Sequence, residues 1–392
     1  MDCWNGDWKT GRESWLTFLD HVDKVRDDLG CFYKNAWFRG TVDLSYRLLP
    51  SLFRTPQGIA DGLTRFDEQI QELEAQFDEG HAEKQAAYGR FHASQSKTPQ
   101  NNVALEKLKT AKARLKQIRQ KQQNLREERE NILIAFRNRC LSLDSLREIE
   151  SDAFISFSQR SGMHEKRSSW EVLAEMAHYG GQTRLLDWTQ SLSVALFFAL
   201  RHYRIRLEAQ WNADRELLRE WPAIDSLNEG RPCIWILNPF LLSLWATNGE
   251  RSSIWDFTYD RTHDYHASFL EKPKAGDAPN WPYSFPLPIY PPWRDLRIGA
   301  QRGVFTVHGN DVRPLEEQRP NRDLASKLDR AGIPPKPIVA QLEIPKAAAI
   351  YGVRHLRRYE GIDNYLLFRD ADSLGRSVQE ETEEAKLNRS KK

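Results

Sequence analysis

The sequence predicts an α+β protein whose main domain is interrupted by an inserted pair of helices. Short apolar segments bounded by Gly, Pro and Asn, such as residues 231–239, are typical of strands, and apolar residues three and four positions apart are typical of helices. Residues 60–150 are rich in Gln, Glu, Lys, Arg and Ala, which favours long helices. We therefore expect a discontinuous main domain (residues 1–60 and 137–378), an inserted helical hairpin (residues 61–136) and a disordered charged tail (residues 379–392).

The composition excludes several classes of protein. A chain of 392 residues with 40% hydrophobic residues can bury a sizeable core, and its net charge of +2 provides no global basic field. Four Cys without a CxxC pair argue against a zinc site or a disulfide framework, so no metal is expected. The N-terminal residues lack the pattern of a secretory signal, and no apolar run is long enough to span a bilayer. We expect a cytoplasmic protein with no membrane partner.

The first 60 residues predict a helix followed by a strand. Residues 1–30 carry apolar residues at helical spacing, and residues 31–41 form an aromatic-rich segment that ends as a strand at Gly40. Arg39 precedes this glycine, where the backbone can approach a ligand and a guanidinium can bind a phosphate through two hydrogen bonds. The alternative is a structural pairing of Arg39 with a carboxylate.

The inserted segment predicts a helical hairpin with breaks. Residues 66–77 have a helical pattern, and we expect a turn around Gly80 and a further break at residues 97–102. Apolar residues then recur at coiled-coil spacing from Leu108 to Phe136. The basic residues between positions 107 and 121 could bind nucleic acid or another acidic partner of the hairpin. The alternative is a solvated helix face.

The most informative stretch is residues 177–200. Gly180 and Gly181 predict a turn, and a short helix over residues 170–177 leads into it through His178 and Tyr179. Residues 183–189 mix charged, aromatic and hydroxyl side chains with leucines. Such a segment suits either the wall of a site or a satisfied structural network.

The end of this stretch predicts a buried helix over residues 194–200, with Ser191 or Ser193 as its N-cap. His178 and Asp187 could form a general base and its orienting carboxylate, although a histidine beside a glycine turn can also be structural. The common phosphate-loop, dinucleotide, serine-hydrolase and zinc-protease motifs do not occur.

The C-terminal half predicts alternating elements. Residues 240–296 are expected to be irregular, and their proline-rich aromatic part, residues 272–292, is typical of a loop that covers a site or an interface. The remaining predictions are a strand, turn and strand over residues 297–308, a strand over residues 337–345 and a helix over residues 348–359.

Three groups of residues together resemble the FRG-domain family, which is named for its Phe/Tyr-Arg-Gly motif and occurs mainly in bacteria and their mobile elements. The groups are Phe38-Arg39-Gly40 with residues 46–54, residues 178–189 with 194–199, and residues 297–305 with Gly361, Ile362, Leu367, Phe368 and Asp372. The resemblance covers most of the chain except the helical insertion. The sequence departs from the family pattern at Ala177, where Gln is usual, and at Arg369, where Pro is common.

A second resemblance is to ADP-ribosyltransferases of the Arg–Ser–Glu type. Phe38-Arg39-Gly40 resembles their first site strand, and residues 187–199 resemble the second strand with its helix. Residues 300–303 stand where the third element would be, but its glutamate is missing. The resemblance implies a mixed or antiparallel split sheet and NAD as substrate, with a protein or nucleic acid as acceptor. The distribution of such families implies a toxin or a phage-defence effector.

The same resemblance implies roles for individual residues. Arg39 would hold the pyrophosphate or the nicotinamide ribose, Thr189 or Ser191 would orient the ribose, and Tyr179 or Trp188 would stack on nicotinamide. Asp187, Glu343 or an acid of the proline-rich segment would replace the missing glutamate. The implied catalytic residues are Arg39, Asp187, Thr189 and Gln301, and the implied cofactor-binding residues are Arg39, Gly40, His178, Tyr179, Arg184, Trp188 and Ser191.

Two other functions are compatible with the sequence. One is a non-catalytic module that binds nucleotide or nucleic acid through Arg39, Arg184 and the basic part of the hairpin. The other is a nuclease that uses His178 and Asp187. This last class is disfavoured because a metal nuclease needs several carboxylates at one site, and the sequence shows no such cluster.

Overall fold

The structure, a computed structural model, describes residues 6–31, 36–93, 99–161, 167–213, 230–257, 264–274, 280–283, 285–292, 296–333, 336–375, 377–379 and 382. The chain divides into two compact units, one of Met1–Phe53 with Arg147–Lys392 and one of Arg54–Leu146. We refer to the first as the sheet unit and to the second as the helical unit. Within the described ranges, no helix is both long and apolar enough to cross a membrane.

The helical unit is built from two long antiparallel helices, α2 (Gln57–Ala93) and α3 (Pro99–Cys140). Their direction follows from the ion pairs between them. Asp67 near the start of α2 pairs with Arg129 near the end of α3 at 2.8 Å, whereas Glu83 further along α2 pairs with Arg114 earlier in α3 at 3.3 Å. The buried apolar side chains of the pair are Leu63, Ile70, Ala87, Leu108, Ala111, Leu115, Ile118 and Phe136. A supercoiled geometry stays a prediction.

The expected turn around Gly80 is wrong, because α2 is continuous through this residue. A Cβ atom at Gly80 would lie 3.2 Å from Cδ2 of Leu115 on α3. The glycine therefore allows the two helices to approach each other closely and does not break the helix. This function depends on a neighbour 35 positions away in the chain, so local sequence cannot reveal it.

The sheet unit contains one mixed sheet of seven strands, which confirms the predicted α+β class. In chain order the strands are β1 (Trp37–Thr41), β2 (Leu185–Thr189), β3 (Cys233–Leu237), β4 (Trp255–Asp256), β5 (Leu287–Tyr290), β6 (Gly303–Val307) and β7 (Val339–Glu343). Their spatial order is β4-β5-β6-β2-β1-β3-β7. Strands β4 and β5 are parallel, and all other neighbours are antiparallel.

Very few backbone pairs join β1 to β2 in the middle of this sheet. Strand β1 pairs with β3 over its whole length, from Trp37 opposite Leu237 to Thr41 opposite Cys233. By contrast, β1 and β2 share a single register pair, Phe38 opposite Thr189. Beyond that pair the backbone ladder between β1 and β2 ends, so the polar groups of their central residues need other partners.

Helices cover both faces of the sheet. The helices are α1 (Gly6–Asp28), α4 (Leu143–Arg160), α5 (Ser169–His178), α6 (Leu192–Ala199), α7 (Arg201–Ala213), α8 (Pro239–Ala246), α9 (Leu296–Ala300), α10 (Arg322–Arg330), α11 (Lys346–Tyr359) and α12 (Asn364–Phe368). Phe38 of β1 belongs to the core formed with α1, α6 and α11. Its neighbour Trp37 belongs to the core formed with α8 and α10, as the alternation of side chains along a strand requires.

Most predicted elements are confirmed where they are described. The helices expected within residues 1–30, 170–177, 194–200 and 348–359 are present, and the side chain of Ser191 accepts a hydrogen bond from the N–H of Val194 as the N-cap of α6. The break at residues 97–102 lies partly outside the described residues, and α3 already begins at Pro99. The predicted disordered tail lies almost entirely outside them.

Two predictions about the C-terminal half are wrong in part. Residues 240–296 are not irregular throughout, because Asn238 caps α8 with Pro239 at its first position, and β4 and β5 follow. Of the strand, turn and strand expected over residues 297–308, the turn and the second strand (β6) are present, but the helix α9 stands in place of the first strand. The helix is favoured by burial of Ile298, which only the tertiary contacts provide.

Candidate functional site

Arg39 lies at the place where β1 and β2 separate, and its guanidinium joins the two strands. Nη1 of Arg39 donates a hydrogen bond to the carbonyl oxygen of Asp187 at 2.6 Å and lies 2.7 Å from Oδ1 of the same residue. The Arg39 side chain is 14% exposed, whereas that of Asp187 is 73% exposed. Arg39 therefore replaces missing ladder hydrogen bonds and also presents a charge beside an accessible carboxylate.

No described residue uses the remaining donors of Arg39. Among the described residues, Asp187 is its only hydrogen-bonding or ionic partner, and it occupies Nη1 alone. The N–H groups on Nε and Nη2 are therefore available, and they form the side of a guanidinium that can bind a phosphate or carboxylate bidentately. Both readings of Arg39, structural pairing and anion binding, are compatible with this geometry.

Gly40 is required by packing. A Cβ atom at this position would lie 1.8 Å from the carbonyl oxygen of Ala195 and 2.7 Å from the amide nitrogen of Ala199. The backbone of β1 thus rests directly on α6, and only glycine fits between them. This contact accounts for the glycine of the Phe38-Arg39-Gly40 motif without a ligand, and the cofactor-binding role expected for Gly40 stays a prediction.

Thr189 and Ser191 connect the end of β2 to α6. The Thr189 hydroxyl donates to the carbonyl oxygen of Gln301 at 2.6 Å and accepts from the N–H of Ser191 at 3.0 Å. The Ser191 hydroxyl in turn accepts from the N–H of Val194. Because both hydroxyls accept hydrogen bonds from backbone N–H groups, they orient the N-terminus of α6, and their expected role in orienting a ribose stays a prediction.

Gln301 and Arg297 act as a pair on one face of α9 and its C-terminal turn. Nε2 of Gln301 donates to the carbonyl oxygen of Leu367 at 3.2 Å, and Nε of Arg297 donates to that of Phe368 at 2.6 Å. Four positions apart in a helical turn, the two side chains reach two successive carbonyl groups at the end of α12. The amide nitrogen of Gln301 thus helps to hold α12 in place, and the catalytic role expected for Gln301 stays a prediction.

Arg184 is buried and bonded within the fold, which favours a structural role over the cofactor-binding role expected from the resemblance. Its side chain is only 4% exposed, and Nε lies 2.8 and 2.9 Å from the two carboxylate oxygens of Glu150. Nη1 donates to the carbonyl oxygens of His308 at 3.0 Å and Gly309 at 3.2 Å. The hydroxyl of Tyr265 also donates to Glu150. Because burial and then the Glu150 charge raise the pKa of Tyr265 well above its usual value, the hydroxyl keeps its proton.

Trp188 is likewise part of the interior. Its ring is 3% exposed and packs in the same core as Trp37, and its indole N–H donates to the hydroxyl of Thr306 at 3.2 Å. An aromatic ring in this position has no free face for a nicotinamide ring. The burial of Trp188 therefore gives no support to its expected stacking role, which stays a prediction.

Tyr179 is the exposed aromatic residue of the expected set, with 58% of the residue accessible. It follows His178, the last residue of α5, and precedes Gly180, whose φ of 82° forms the expected glycine turn. The guanidinium carbon of Arg297 lies 5.1 Å from the centre of the Tyr179 ring, within the range of a cation–π contact. His178 is half-buried at the end of α5, and its ring meets that of Tyr179 edge-on.

Tyr179 borders a groove of about 360 Å³ that the sequence did not predict. Its main lining residues are Glu175, Tyr179, Leu296, Arg297, Phe368 and Arg369. Arg297 crosses the groove wall and binds Asp370 at 2.5 Å. The signal that could have identified Arg297 was its place at the start of the motif of residues 297–305. Without a structure, however, its partners near the end of α12 could not be known.

The candidate carboxylates differ in their distance from Arg39. Asp187 is in contact with it, whereas Glu343 lies on β7, which β3 separates from β1. Arg231 binds Glu343 bidentately at 3.0 and 2.6 Å, and this bond keeps the pKa of Glu343 below its usual value. Asp277, the acid of the proline-rich segment, lies outside the described residues.

The comparison with protein families identifies one domain. The model described as the FRG domain matches residues 100–206, so an FRG domain is present in this α+β chain. No curated protein and no solved structure matches the chain. The matched segment includes the motif of residues 178–189 but not Arg39. It also includes residues 100–136, which the sequence assigned to the insertion, and the proposed domain boundaries remain a prediction.

Proposed function

We propose that this FRG-domain protein is an ADP-ribosyltransferase-like enzyme that uses NAD to modify a protein or a nucleic acid. The resemblance of the motifs around Arg39 and Asp187 suggests the activity. A role as a toxin or phage-defence effector is part of the proposal, and it rests on where such families occur.

The observation that carries the proposal is the state of the Arg39 guanidinium between β1 and β2. It is mostly buried, it contacts an exposed carboxylate, and its Nε and Nη2 donors are unused among the described residues. A guanidinium held by one nitrogen and open at the other two is preorganised to bind a phosphate. Asp187 would then stand a few ångströms from the bound dinucleotide.

The chemistry needs a carboxylate at that place. When the bond between ribose C1 and the nicotinamide nitrogen breaks, its electron pair leaves with nicotinamide and positive charge develops on the ribose. A fixed carboxylate stabilises this charge, or it removes the proton of the acceptor as the acceptor attacks C1. Asp187 is the carboxylate that we assign to this role, in place of the missing glutamate.

The sharpest test replaces Asp187 with Asn. The amide keeps an oxygen for Nη1 of Arg39, and the carbonyl bond is unaffected, so the arginine stays in place. Removing a negative charge beside the phosphate site should leave NAD affinity unchanged or increase it. Nicotinamide release should fall about 100-fold or more because the charge stabilisation is lost. Isothermal titration and a nicotinamide-release assay measure the two quantities.

Glu343→Gln is the matched control, because it removes one exposed carboxylate from β7, the edge strand of the same sheet. It should leave both quantities unchanged. Equal rates for Asp187→Asn and the wild type would show that Asp187 only anchors Arg39. Absence of saturable NAD binding by the wild type would overturn the whole proposal.

A non-catalytic nucleotide-binding module is the second candidate. The observation in its favour is that the Thr189 hydroxyl and the Gln301 amide nitrogen are bonded to backbone carbonyl groups of the fold, which leaves Arg39 and Asp187 as the groups that the proposal relies on. This function predicts saturable NAD or nucleotide binding that depends on Arg39, with no nicotinamide release over hours.

A further inference from the structure

The first half of α3 carries a concentrated basic surface. Between Lys107 and Lys121 the helix has seven Lys and Arg residues and no Asp or Glu. All seven side chains are exposed. The buried residues of this stretch are the apolar Leu108, Ala111, Leu115 and Ile118. The net charge of the whole chain is only +2, so this charge is a local feature of the helical unit.

Four of these residues form one ridge along the helix. Lys109, Lys112, Lys116 and Arg119 follow each other at intervals of three or four residues, which places them on the same side of α3. At 1.5 Å per residue the ridge is about 15 Å long. We call these four residues the basic ridge.

The basic ridge is only partly neutralised by the protein. Lys109 pairs with Glu106 at 2.8 Å, and Arg119 lies 4.8 Å from the centre of the Phe77 ring. Lys112 and Lys116, in the middle, have no ion pair among the described residues. Two adjacent cations without counter-charges repel each other, and a bound polyanion would relieve this repulsion.

The surroundings of the ridge indicate the kind of polyanion. An interface with another protein is usually centred on exposed aromatic or aliphatic anchors, but none of the exposed large apolar side chains lies between residues 106 and 124. A membrane-binding helix would need a free apolar face, whereas the apolar face of α3 is buried. A row of long cations without apolar anchors suits the phosphates of a nucleic acid, which bind through charge alone.

We propose that the basic ridge of the helical unit binds the phosphate backbone of a nucleic acid, independently of sequence. The ridge belongs to the helical unit and Arg39 to the sheet unit, and binding at the ridge does not depend on NAD. Lys112 and Lys116 are its central contacts.

The test is fluorescence anisotropy of the full chain with a labelled 20-nucleotide DNA, RNA or DNA duplex between 50 and 300 mM salt. Four phosphate contacts predict a slope of log K against log salt of about −3 for single strands and about −3.6 for duplex. The double variant Lys112→Gln/Lys116→Gln should reduce the magnitude of this slope by about half. Comparison of the three probes identifies which nucleic acid binds most tightly.

Arg137→Gln/Arg139→Gln is the matched control, since it removes two exposed charges from the other end of the same helix. It should retain the wild-type slope, and circular dichroism should show both variants folded. Equal losses in the two variants, or no binding at 50 mM salt, would overturn the proposal. Displacement of the nucleic acid by an equal charge concentration of polyglutamate would also overturn it, in favour of an acidic protein partner.

Discussion

Replacing Glu150 with Gln should destabilise the sheet unit by about 3–5 kcal/mol. In the folded protein the Glu150 carboxylate accepts hydrogen bonds from Nε of Arg184 at 2.8 and 2.9 Å. It also accepts hydrogen bonds from Nη2 of Arg184 and from the hydroxyl of Tyr265. Both partners of the ion pair are almost completely buried. The variant keeps the shape of the side chain but leaves the charge of Arg184 in the interior without its counter-charge.

The size of the effect follows from this burial. Removing one partner of a buried ion pair costs far more than removing one from a surface pair, because the remaining charge cannot be solvated. For a large domain, about 2 °C of melting temperature corresponds to each kcal/mol, so the midpoint should fall by about 6–10 °C. Differential scanning calorimetry measures the midpoint, and urea unfolding gives the free energy of unfolding.

Glu343→Gln provides the comparison, since it breaks an Arg–Glu pair of similar geometry at the surface. Its midpoint should stay within error of the wild type because water and salt screen exposed pairs. If Glu150→Gln were as stable as the wild type but bound NAD or nucleic acid more weakly, Arg184 would be a ligand-binding residue after all. The structural role assigned here would then be refuted.

Three further predictions concern packing and titration. Gly40→Ala should lower the free energy of unfolding by about 3 kcal/mol or more, because its Cβ would overlap the Ala195 carbonyl. Gly58→Ala should not lower it, because the space around Gly58 is open. Urea unfolding of both variants measures the difference. Burial raises the pKa of the Cys31 thiol to about 11, so iodoacetamide at pH 8 should label it only after unfolding, as mass spectrometry would show. Burial lowers the pKa of His308 to about 3. In the unfolded chain this histidine binds a proton below about pH 6.5, whereas in the folded protein it stays neutral down to about pH 3. As the pH is lowered from 6.5 towards 3, the free energy of unfolding should therefore fall by about 1.4 kcal/mol per pH unit. In the His308→Gln variant this contribution to the pH dependence should be absent, and urea unfolding at pH 6.5 and 5 measures it.

The sequence alone determined the local elements and the class of domain. The spacing of apolar residues predicted α1 and α11, the apolar run before Asn238 predicted β3, and Ser191 was one of two expected N-caps. These features depend on interactions within a few residues of the chain, so a local pattern contains the information they need. The motif of residues 178–189 also identified the FRG domain that the family comparison finds.

Only the tertiary structure decided the role of each polar side chain. Arg39 and Arg184 are both arginines beside apolar strand residues, and the resemblance implied ligand binding for both, although local sequence also allowed a structural pairing of Arg39. Their partners lie far away in the chain, since Arg39 reaches Asp187 across 148 positions, while Arg184 reaches Glu150 across 34 and His308 across 124. A polar group has a structural role when protein atoms within about 3 Å satisfy its hydrogen bonds, and it is available to a ligand when some of its donors or acceptors still face water. Among the described residues, two donor nitrogens of Arg39 have no partner at the gap between β1 and β2, whereas the guanidinium of Arg184 is almost completely buried.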